Sequence, residues 1–219
     1  MPRPPRLEYA GALYHVTARG VQQGAIYLDD ADRTTFLALV SHTLLTGNAH
    51  ALAFCLMGNH YHFVLQTSAT NLSTLMRRIN SGYSLAFNHR HGRSGHVFEG
   101  RFKAIHVDRE AYLLEVCRYV DLNPVRAALC DLPQDWAWSS YRSHVGMASA
   151  PPWLASRELH GLLMGQELTT GAKIDAAQRS YVDWVERGRD VRLWDRSLLD
   201  GRFLGDRAFV RRLEARVGK

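Results

Sequence analysis

The fold is decided by residues 50–66, HALAFCLMGNHYHFVLQ, in which two apolar segments flank a Gly-Asn pair. Residues 50–57 are almost continuously apolar, and the second segment, residues 60–66, begins directly after Gly58 and Asn59. Gly and Asn are typical of the tight turns that join neighbouring strands. The pattern therefore predicts a β-hairpin whose second strand follows the Gly-Asn pair.

The residues on both sides of this hairpin predict the other elements of a four-stranded sheet. Residues 13–18 are rich in β-branched and aromatic side chains and predict a strand, and residues 96–107 predict another, interrupted strand. Apolar residues at helical spacing predict three helices, which follow the acidic segment 29–32, Asn71 and Asp108. The order β-α-β-β-α-β-α predicts an α+β, ferredoxin-like domain, an antiparallel sheet with helices on one face.

The chain is predicted to divide at residue 143. Residues 1–143 contain the sheet domain, and residues 144–219 form a helical, basic extension. Amphipathic helices are predicted at 173–187 and 205–216, and arginines lie on the polar side of the second. The extension has too few apolar residues for a sizeable core of its own, so we expect it to dock on the sheet domain.

The composition excludes several classes of protein. The 219 residues include 27 Lys+Arg and 21 Asp+Glu, a net charge of +6, and a hydrophobic fraction of 46% excludes disorder along the whole chain. No apolar segment approaches the roughly 20 residues of a membrane span, and three cysteines without a Cys-x-x-Cys motif form no disulfide framework or thiolate zinc site. We therefore expect a reduced, cytoplasmic protein without membrane contact. Its modest positive charge favours a polyanionic partner.

His60 and His62 are the first candidates for chemistry. Residues i and i+2 of a strand point to the same face, so the two imidazoles project together while Tyr61 and Phe63 take the opposite face. Two adjacent imidazoles can bind a divalent metal. Two histidines on a solvated sheet face would have the same spacing, so the spacing alone leaves both interpretations open.

Tyr119 and Asn123 are the second pair of candidates. They are four residues apart and share one side of a helix if the helix extends that far. A tyrosine hydroxyl can attack phosphorus when a metal neutralises the developing charge. The alternative is a half-buried core tyrosine and an asparagine N-cap preceding Pro124 at the first helical position. Pro124 also disfavours helical backbone at Asn123.

Three segments taken together resemble a known protein family. They are His60-Tyr61-His62 after the Gly-Asn turn, FEGRFK at 98–103 and RYVDLNPVRA at 118–127. In residue type and order they resemble the HUH single-strand DNA transposases, and within these the REP-associated tyrosine transposases. The likeness extends from about residue 13 through WSSY at 138–141.

The resemblance implies a catalytic domain that cuts and rejoins single-stranded DNA through a 5′-phosphotyrosine intermediate. His60 and His62 match the two histidine positions of the HUH motif, Tyr119 matches the nucleophile, and Asn123 matches the third metal ligand. The implied ion is Mg²⁺ or Mn²⁺. Because two imidazoles and an amide are a softer ligand set than Mg²⁺ prefers, the ion is expected to keep water and phosphate oxygens in its shell.

Two other residues compete for these roles. Tyr83 is the rival nucleophile, although Ile79 and Phe87 at helical spacing around it indicate a core position. Glu115, one turn before Tyr119, is a rival metal ligand. Both stay alternatives to the assignment that the resemblance implies.

Basic residues around the second helix and the fourth strand predict a DNA-binding surface. Guanidinium groups combined with aromatic side chains such as Phe98 and Phe102 suit unpaired bases and a phosphate backbone. The candidates are Arg77, Arg78, Arg90, Arg93, Arg101 and Lys103. The expected partner is single-stranded or hairpin DNA, bound by a monomer or a homodimer.

Two other functions are compatible with the same sequence. A non-catalytic module that binds single-stranded nucleic acid would use a ferredoxin-like sheet to stack bases, and it would need neither the paired histidines nor Tyr119. A rolling-circle initiator or relaxase would share the chemistry, but LNPVR at 122–126 resembles the transposases more closely.

Overall fold

A computed structural model describes residues 6–191, 198–199 and 202–217, without the side chains of residues 198, 199 and 217. Four strands form the predicted sheet: β1 (Leu13–Arg19), β2 (Ala49–Leu56), β3 (His60–Thr67) and β4 (Lys103–Val107). Their order is β2-β3-β1-β4, and every neighbouring pair is antiparallel. Helix α1 (Asp30–Thr46) connects β1 to β2, and α2 (Leu72–His91) connects β3 to β4. The α+β, ferredoxin-like prediction is confirmed.

The β2–β3 hairpin forms where the sequence predicts it. The Met57 amide donates to the His60 carbonyl at 2.9 Å, which closes the turn. In the resulting register His62 lies opposite Cys55 of β2 and opposite Thr17 of β1. His62 is therefore flanked by a strand on each side, in the interior of the sheet.

Helices α1 and α2 pack on one face of the sheet. Phe36 of α1 and Tyr83 of α2 meet Tyr61 and Phe63 of β3, and all four side chains are buried. The ring centroids of Phe36 and Tyr61 are 5.1 Å apart, as are those of Phe36 and Tyr83. We call these four residues the aromatic cluster.

Helix α3 (Leu113–Asp121) packs on the opposite face, so the prediction of helices on one face holds only for α1 and α2. Val116 and Val120 of α3 contact a core that includes Cys55 and Val64 of the sheet. The physical reason lies in the strands, because a strand that is apolar at successive positions buries both of its faces. Helix α4 (Asn123–Arg126) follows directly.

The interrupted strand is shorter than predicted. Phe98 forms a single bridge with Gly20, and the regular strand begins only at Lys103. Gly100, at φ +130°, has a backbone conformation that side-chain-bearing residues rarely adopt, and it separates the two parts. The segment between α2 and β4 is therefore mainly a loop.

The C-terminal extension contains the two predicted helices, and it also contains two short strands that the sequence did not predict. Helix α5 (Tyr141–His144) crosses the predicted boundary. The helices of the extension are α6 (Ser156–Met164), α7 (Gly171–Arg187) and α8 (Arg207–Val217), and its strands are β5 (Leu198–Leu199) and β6 (Phe203–Leu204). Strand β6 pairs with β4 in parallel and covers its open edge, and β5 pairs with β6. Two-residue strands have no sequence periodicity, so they escape pattern analysis.

The extension docks on α3, as expected. Leu159 of α6 and Tyr181 and Val185 of α7 are buried in the same core as α3. The boundary at residue 143 stays a prediction. None of the helices in the described ranges is long and apolar enough to cross a membrane.

Candidate active site

Strand β3 places His60 and His62 side by side on the face that α3 covers. Their ring centroids are 5.0 Å apart. The Nδ1 atom of His60 is 2.6 Å from Oδ1 of Asn59, and Nδ1 of His62 is 2.9 Å from Nε2 of His15. The Nε2 atom of His62 is buried and has no hydrogen-bond partner among the described residues. Nε2 is thus the ligand atom that His62 can offer.

His15 is a site residue that the sequence analysis missed. It lies on β1, is buried, and stacks on His62 with ring centroids 5.1 Å apart and an interplanar angle of 10°. His15 and Thr17 share one face of β1, and Thr17 is paired with His62. Finding His15 from the sequence would have required the β1–β3 register, which joins residues 47 positions apart.

The histidines are held in the neutral form. Burial lowers the pKa of His15 to about 3 and, together with the neighbouring His15 and His60, brings the pKa of His62 well below its usual value. Burial and the adjacent Arg19 also lower the pKa of His60. Neutral imidazole is the form that binds metals, so the site does not have to release protons from these rings at neutral pH.

Helix α3 brings Tyr119 to the histidine pair. The half-buried Tyr119 ring approaches His62 and His15 edge-on, with centroid distances of 5.9 and 6.0 Å. The guanidinium carbon of Arg126 lies 5.2 Å from the centroid of the same ring. The predicted nucleophile and one predicted metal ligand are therefore neighbours, although they are distant in sequence.

Asn123 is buried one turn after Tyr119, and its Nδ2 donates to the Tyr119 carbonyl at 2.8 Å. It is not a helix N-cap, because the capping position of α4 is Leu122. The amide is therefore attached to the end of α3, and its Oδ1 is the atom that could bind a cation. Its role as a ligand stays a prediction.

The two rival residues have other partners. Tyr83 is buried in the aromatic cluster, on the face away from the histidines, and its hydroxyl donates to the Ile26 carbonyl. Burial raises the pKa of Tyr83 far above its usual value. Glu115 forms an ion pair with Arg118. Neither arrangement favours the rival role.

The chemistry of the donor set fits a divalent cation with an incomplete protein shell. In the part of the chain that the structure describes, no three His, Cys, Asp or Glu side chains form a metal site. His60 and His62 supply two neutral imidazoles, and the unsatisfied Nε2 of His62 is what a ligand nitrogen requires. Asn123, water and substrate phosphate would complete the shell.

Two of the predicted DNA-binding residues line one cavity. A space of about 940 Å³ between α2 and residues 95–102 is lined by Arg77, Arg101, Phe98 and Phe102, among others. The cavity therefore combines guanidinium groups with aromatic rings, as the sequence analysis expected.

The other four predicted DNA-binding residues lie elsewhere. Arg90 forms ion pairs with Asp29 and Asp32 at the start of α1. The guanidinium carbon of Arg93 lies 5.5 Å from the Phe87 ring centroid. Arg78 and Lys103 are exposed, and Lys103 is paired with Thr17, on the face that carries the histidines. The six residues do not form one continuous groove.

Comparisons with known proteins identify the family and a similar fold. Residues 9–123 match the family model described as IS200-like transposase. A solved structure of a REP-associated tyrosine transposase bound to a REP hairpin aligns with a TM-score of 0.57 and 16% identity, over 71% of this chain and 92% of that chain. The tRNA(His) guanylyltransferase of Saccharomyces cerevisiae aligns with a TM-score of 0.40 and 9% identity over 77% and 84%, which is too weak to support an argument. No curated protein sequence matches the chain.

Proposed function

The chain belongs to the IS200-like transposase family, and on that premise we propose that it is a metal-dependent endonuclease and strand transferase for single-stranded DNA. The observation that carries the proposal is the edge-on approach of the Tyr119 ring to His62, at 5.9 Å between centroids. A phenol is a weak nucleophile, and an adjacent metal site of the kind that two neutral imidazoles can form would activate it. The expected substrate is hairpin DNA of the REP type, since the structural relative was solved with a REP hairpin.

The proposed reaction exchanges one phosphodiester linkage for another, so the energy of the bond is retained. The Tyr119 hydroxyl gives up its proton as its oxygen attacks phosphorus, the phosphorus–O3′ bond breaks, and the released O3′ takes up a proton to become a 3′-hydroxyl. The downstream strand stays attached to Tyr119 through its 5′-phosphate. In the rejoining step an incoming 3′-hydroxyl attacks the same phosphorus and the tyrosine leaves. No nucleotide cofactor or redox step is required.

The residues around Tyr119 support this chemistry. His60, His62 and Asn123 would hold Mg²⁺ or Mn²⁺, which polarises the scissile phosphate when bound. The Arg126 guanidinium carbon lies 5.2 Å from the Tyr119 ring centroid, which places a positive charge beside the residue proposed to attack the phosphate. Lys103, on the same face of the sheet, is suited to a backbone phosphate.

We propose that the cavity lined by Arg77 and Arg101 binds unpaired nucleotides of the substrate. Arginines can contact phosphate oxygens, while Phe98 and Phe102 supply apolar surface for a base. A non-catalytic module that stacks bases on its sheet is less compatible with the fold. The sheet aromatics Tyr61 and Phe63 are buried beneath α1 and α2, and α3 covers the opposite face.

An adduct assay with Tyr119→Phe tests the proposal. Wild-type protein is incubated with Mn²⁺ and a hairpin oligonucleotide labelled at its 3′ end, because the downstream fragment is the one that becomes covalently attached. We expect a protein–DNA adduct that survives denaturing electrophoresis, and its complete loss in Tyr119→Phe. EDTA should also abolish the adduct.

Tyr83→Phe is the matched control, because it removes the rival hydroxyl from the aromatic cluster. It should retain the adduct. His62→Ala should lose metal-dependent cleavage while keeping much of its affinity for the hairpin. An adduct that persists in Tyr119→Phe and disappears in Tyr83→Phe would reverse the assignment, and the absence of any adduct would favour the non-catalytic alternative.

A further inference from the structure

We propose that His15 and Asn59 are positioning residues that fix the tautomers of His62 and His60, so that both rings carry their proton on Nδ1 and offer the Nε2 lone pair to the same cation. The use of the lone pairs, and with it the direction of the His15–His62 hydrogen bond, rests on the proposed function. The tautomers themselves are a property of the metal-free protein.

The contact between Asn59 and His60 has only one direction. The Asn59 Nδ2 group donates to the Gln23 carbonyl at 3.0 Å, which fixes the orientation of the amide. Oδ1 of Asn59 then lies 2.6 Å from Nδ1 of His60. A carbonyl oxygen can only accept a hydrogen bond, so Nδ1 of His60 carries the proton.

The contact between His15 and His62 could run in either direction, because each ring nitrogen can donate or accept. If His15 donated, the proton of His62 would lie on Nε2. A protonated Nε2 has no lone pair to offer a cation, so this direction is incompatible with His62 as a metal ligand. If His62 donates from Nδ1, only a lone pair is left at Nε2, and a cation can use it.

Donation from Nδ1 of His62 gives His60 and His62 the same tautomer, and a different neighbouring residue fixes each one. Asn59 belongs to the hairpin turn between β2 and β3, and His15 belongs to the adjacent strand β1. Metal-binding histidines are commonly oriented by a hydrogen bond from their second ring nitrogen, and removal of the acceptor lowers metal affinity about 10–100-fold. Packing alone would not need acceptors at both positions.

The experiment uses the full-length, metal-free protein and three variants. His15→Phe keeps a ring in the stack but removes the acceptor, His15→Gln supplies an amide oxygen in its place, and Asn59→Ala removes the acceptor from His60. Two-dimensional ¹H–¹⁵N spectra of the imidazole rings report which nitrogen is protonated, and a Mn²⁺ titration followed by electron paramagnetic resonance reports affinity.

In the wild type we expect His60 and His62 to be protonated on Nδ1. His15→Phe should move the proton of His62 to Nε2 and leave His60 unchanged. Asn59→Ala should move the proton of His60 to Nε2 and leave His62 unchanged. Mn²⁺ affinity should fall about 10–100-fold in His15→Phe, and most of that loss should be recovered in His15→Gln. The reciprocal effect of Asn59→Ala keeps the test decisive where His15→Phe fails to fold.

Two outcomes overturn the inference. If His15→Phe keeps the wild-type tautomer and Mn²⁺ affinity, the positioning role is wrong while the proposed function stands. If the wild type binds no Mn²⁺ even though its histidines are protonated on Nδ1, the metal-dependent function fails, and with it the purpose assigned to the tautomers.

Discussion

Strand β3 sends Tyr61 and Phe63 to one face of the sheet and His60 and His62 to the other. On the first face the aromatic cluster fills the space with rings whose only polar atoms are two hydroxyls, and both hydroxyls have partners. On the second face lies the histidine cluster, which we define as His15, His60 and His62. Here Nε2 of His62 is buried without a hydrogen-bond partner among the described residues. Strand β3 therefore contributes to the apolar core with one face and to the candidate active site with the other.

The difference shows that the aromatic cluster contributes to stability, whereas the histidine cluster costs some of it. A buried polar atom without a partner costs free energy, and such a cost is tolerated where it serves a function. The aromatic cluster bears no such cost. We therefore expect substitutions in the two clusters to separate stability from activity.

The largest effect is expected from Phe36→Ala in the aromatic cluster. Phe36 is fully buried against Tyr61 and Tyr83, and truncating such a ring costs about 3–5 kcal/mol of unfolding free energy. His62→Ala should cost only about 1–2 kcal/mol, because the loss of packing is partly offset by removal of the unpaired nitrogen. Urea denaturation measures both. Equal losses would contradict the division between the two clusters.

An effect of intermediate size is expected for the pH dependence of the unfolding free energy, and it comes from a buried carboxyl group at the end of α3. Asp121 is fully buried and accepts hydrogen bonds from Ser140 and from Tyr181, at 2.8 Å for the latter. Burial raises the pKa of Asp121 to about 7. Between pH 4 and pH 7 the folded chain then holds a proton that the unfolded chain has lost, so this group makes the protein less stable as the pH rises. At about 1.4 kcal/mol per pKa unit, the loss amounts to a few kcal/mol.

Asp121→Asn isolates that contribution. The buried histidines, whose pKa values are lowered, have the opposite pH dependence, and they are present in both proteins. The wild type should therefore lose stability relative to Asp121→Asn between pH 4 and pH 7, as measured by urea denaturation at each pH. A difference that is constant with pH would mean that Asp121 is ionised throughout this range.

The parts of the fold that depend on neighbouring residues could be predicted from the sequence. The hairpin follows from its Gly-Asn turn, and the shared face of His60 and His62 follows from strand geometry alone. The approach of Tyr119 to His62 was implied by the resemblance to a family. It could not be derived from spacing, because α3 and β3 meet only after the sheet has formed.

The remaining features depend on contacts between distant residues. His15 reaches His62 through strand pairing, and Arg90 reaches Asp29 across 61 positions. Residues 50–57 do contain evidence for α3 on the second face. Their continuous apolar pattern indicates a strand that is buried on both sides, which conflicts with helices on one face only.

The smallest effect distinguishes two arginines of the same helix. Arg77 is exposed at the cavity beside α2, whereas Arg90 is held by Asp29 and Asp32. Arg77→Ala should weaken hairpin binding about 3–10-fold and reduce the slope of log affinity against log salt by about one, because one phosphate contact is lost. Arg90→Ala should leave both quantities nearly unchanged and only lower the thermal unfolding midpoint, because its guanidinium is already engaged. Fluorescence anisotropy over a salt series measures both variants. If they weaken binding equally, DNA competes successfully with the two carboxylates for Arg90, and the binding surface extends from the cavity to the start of α1.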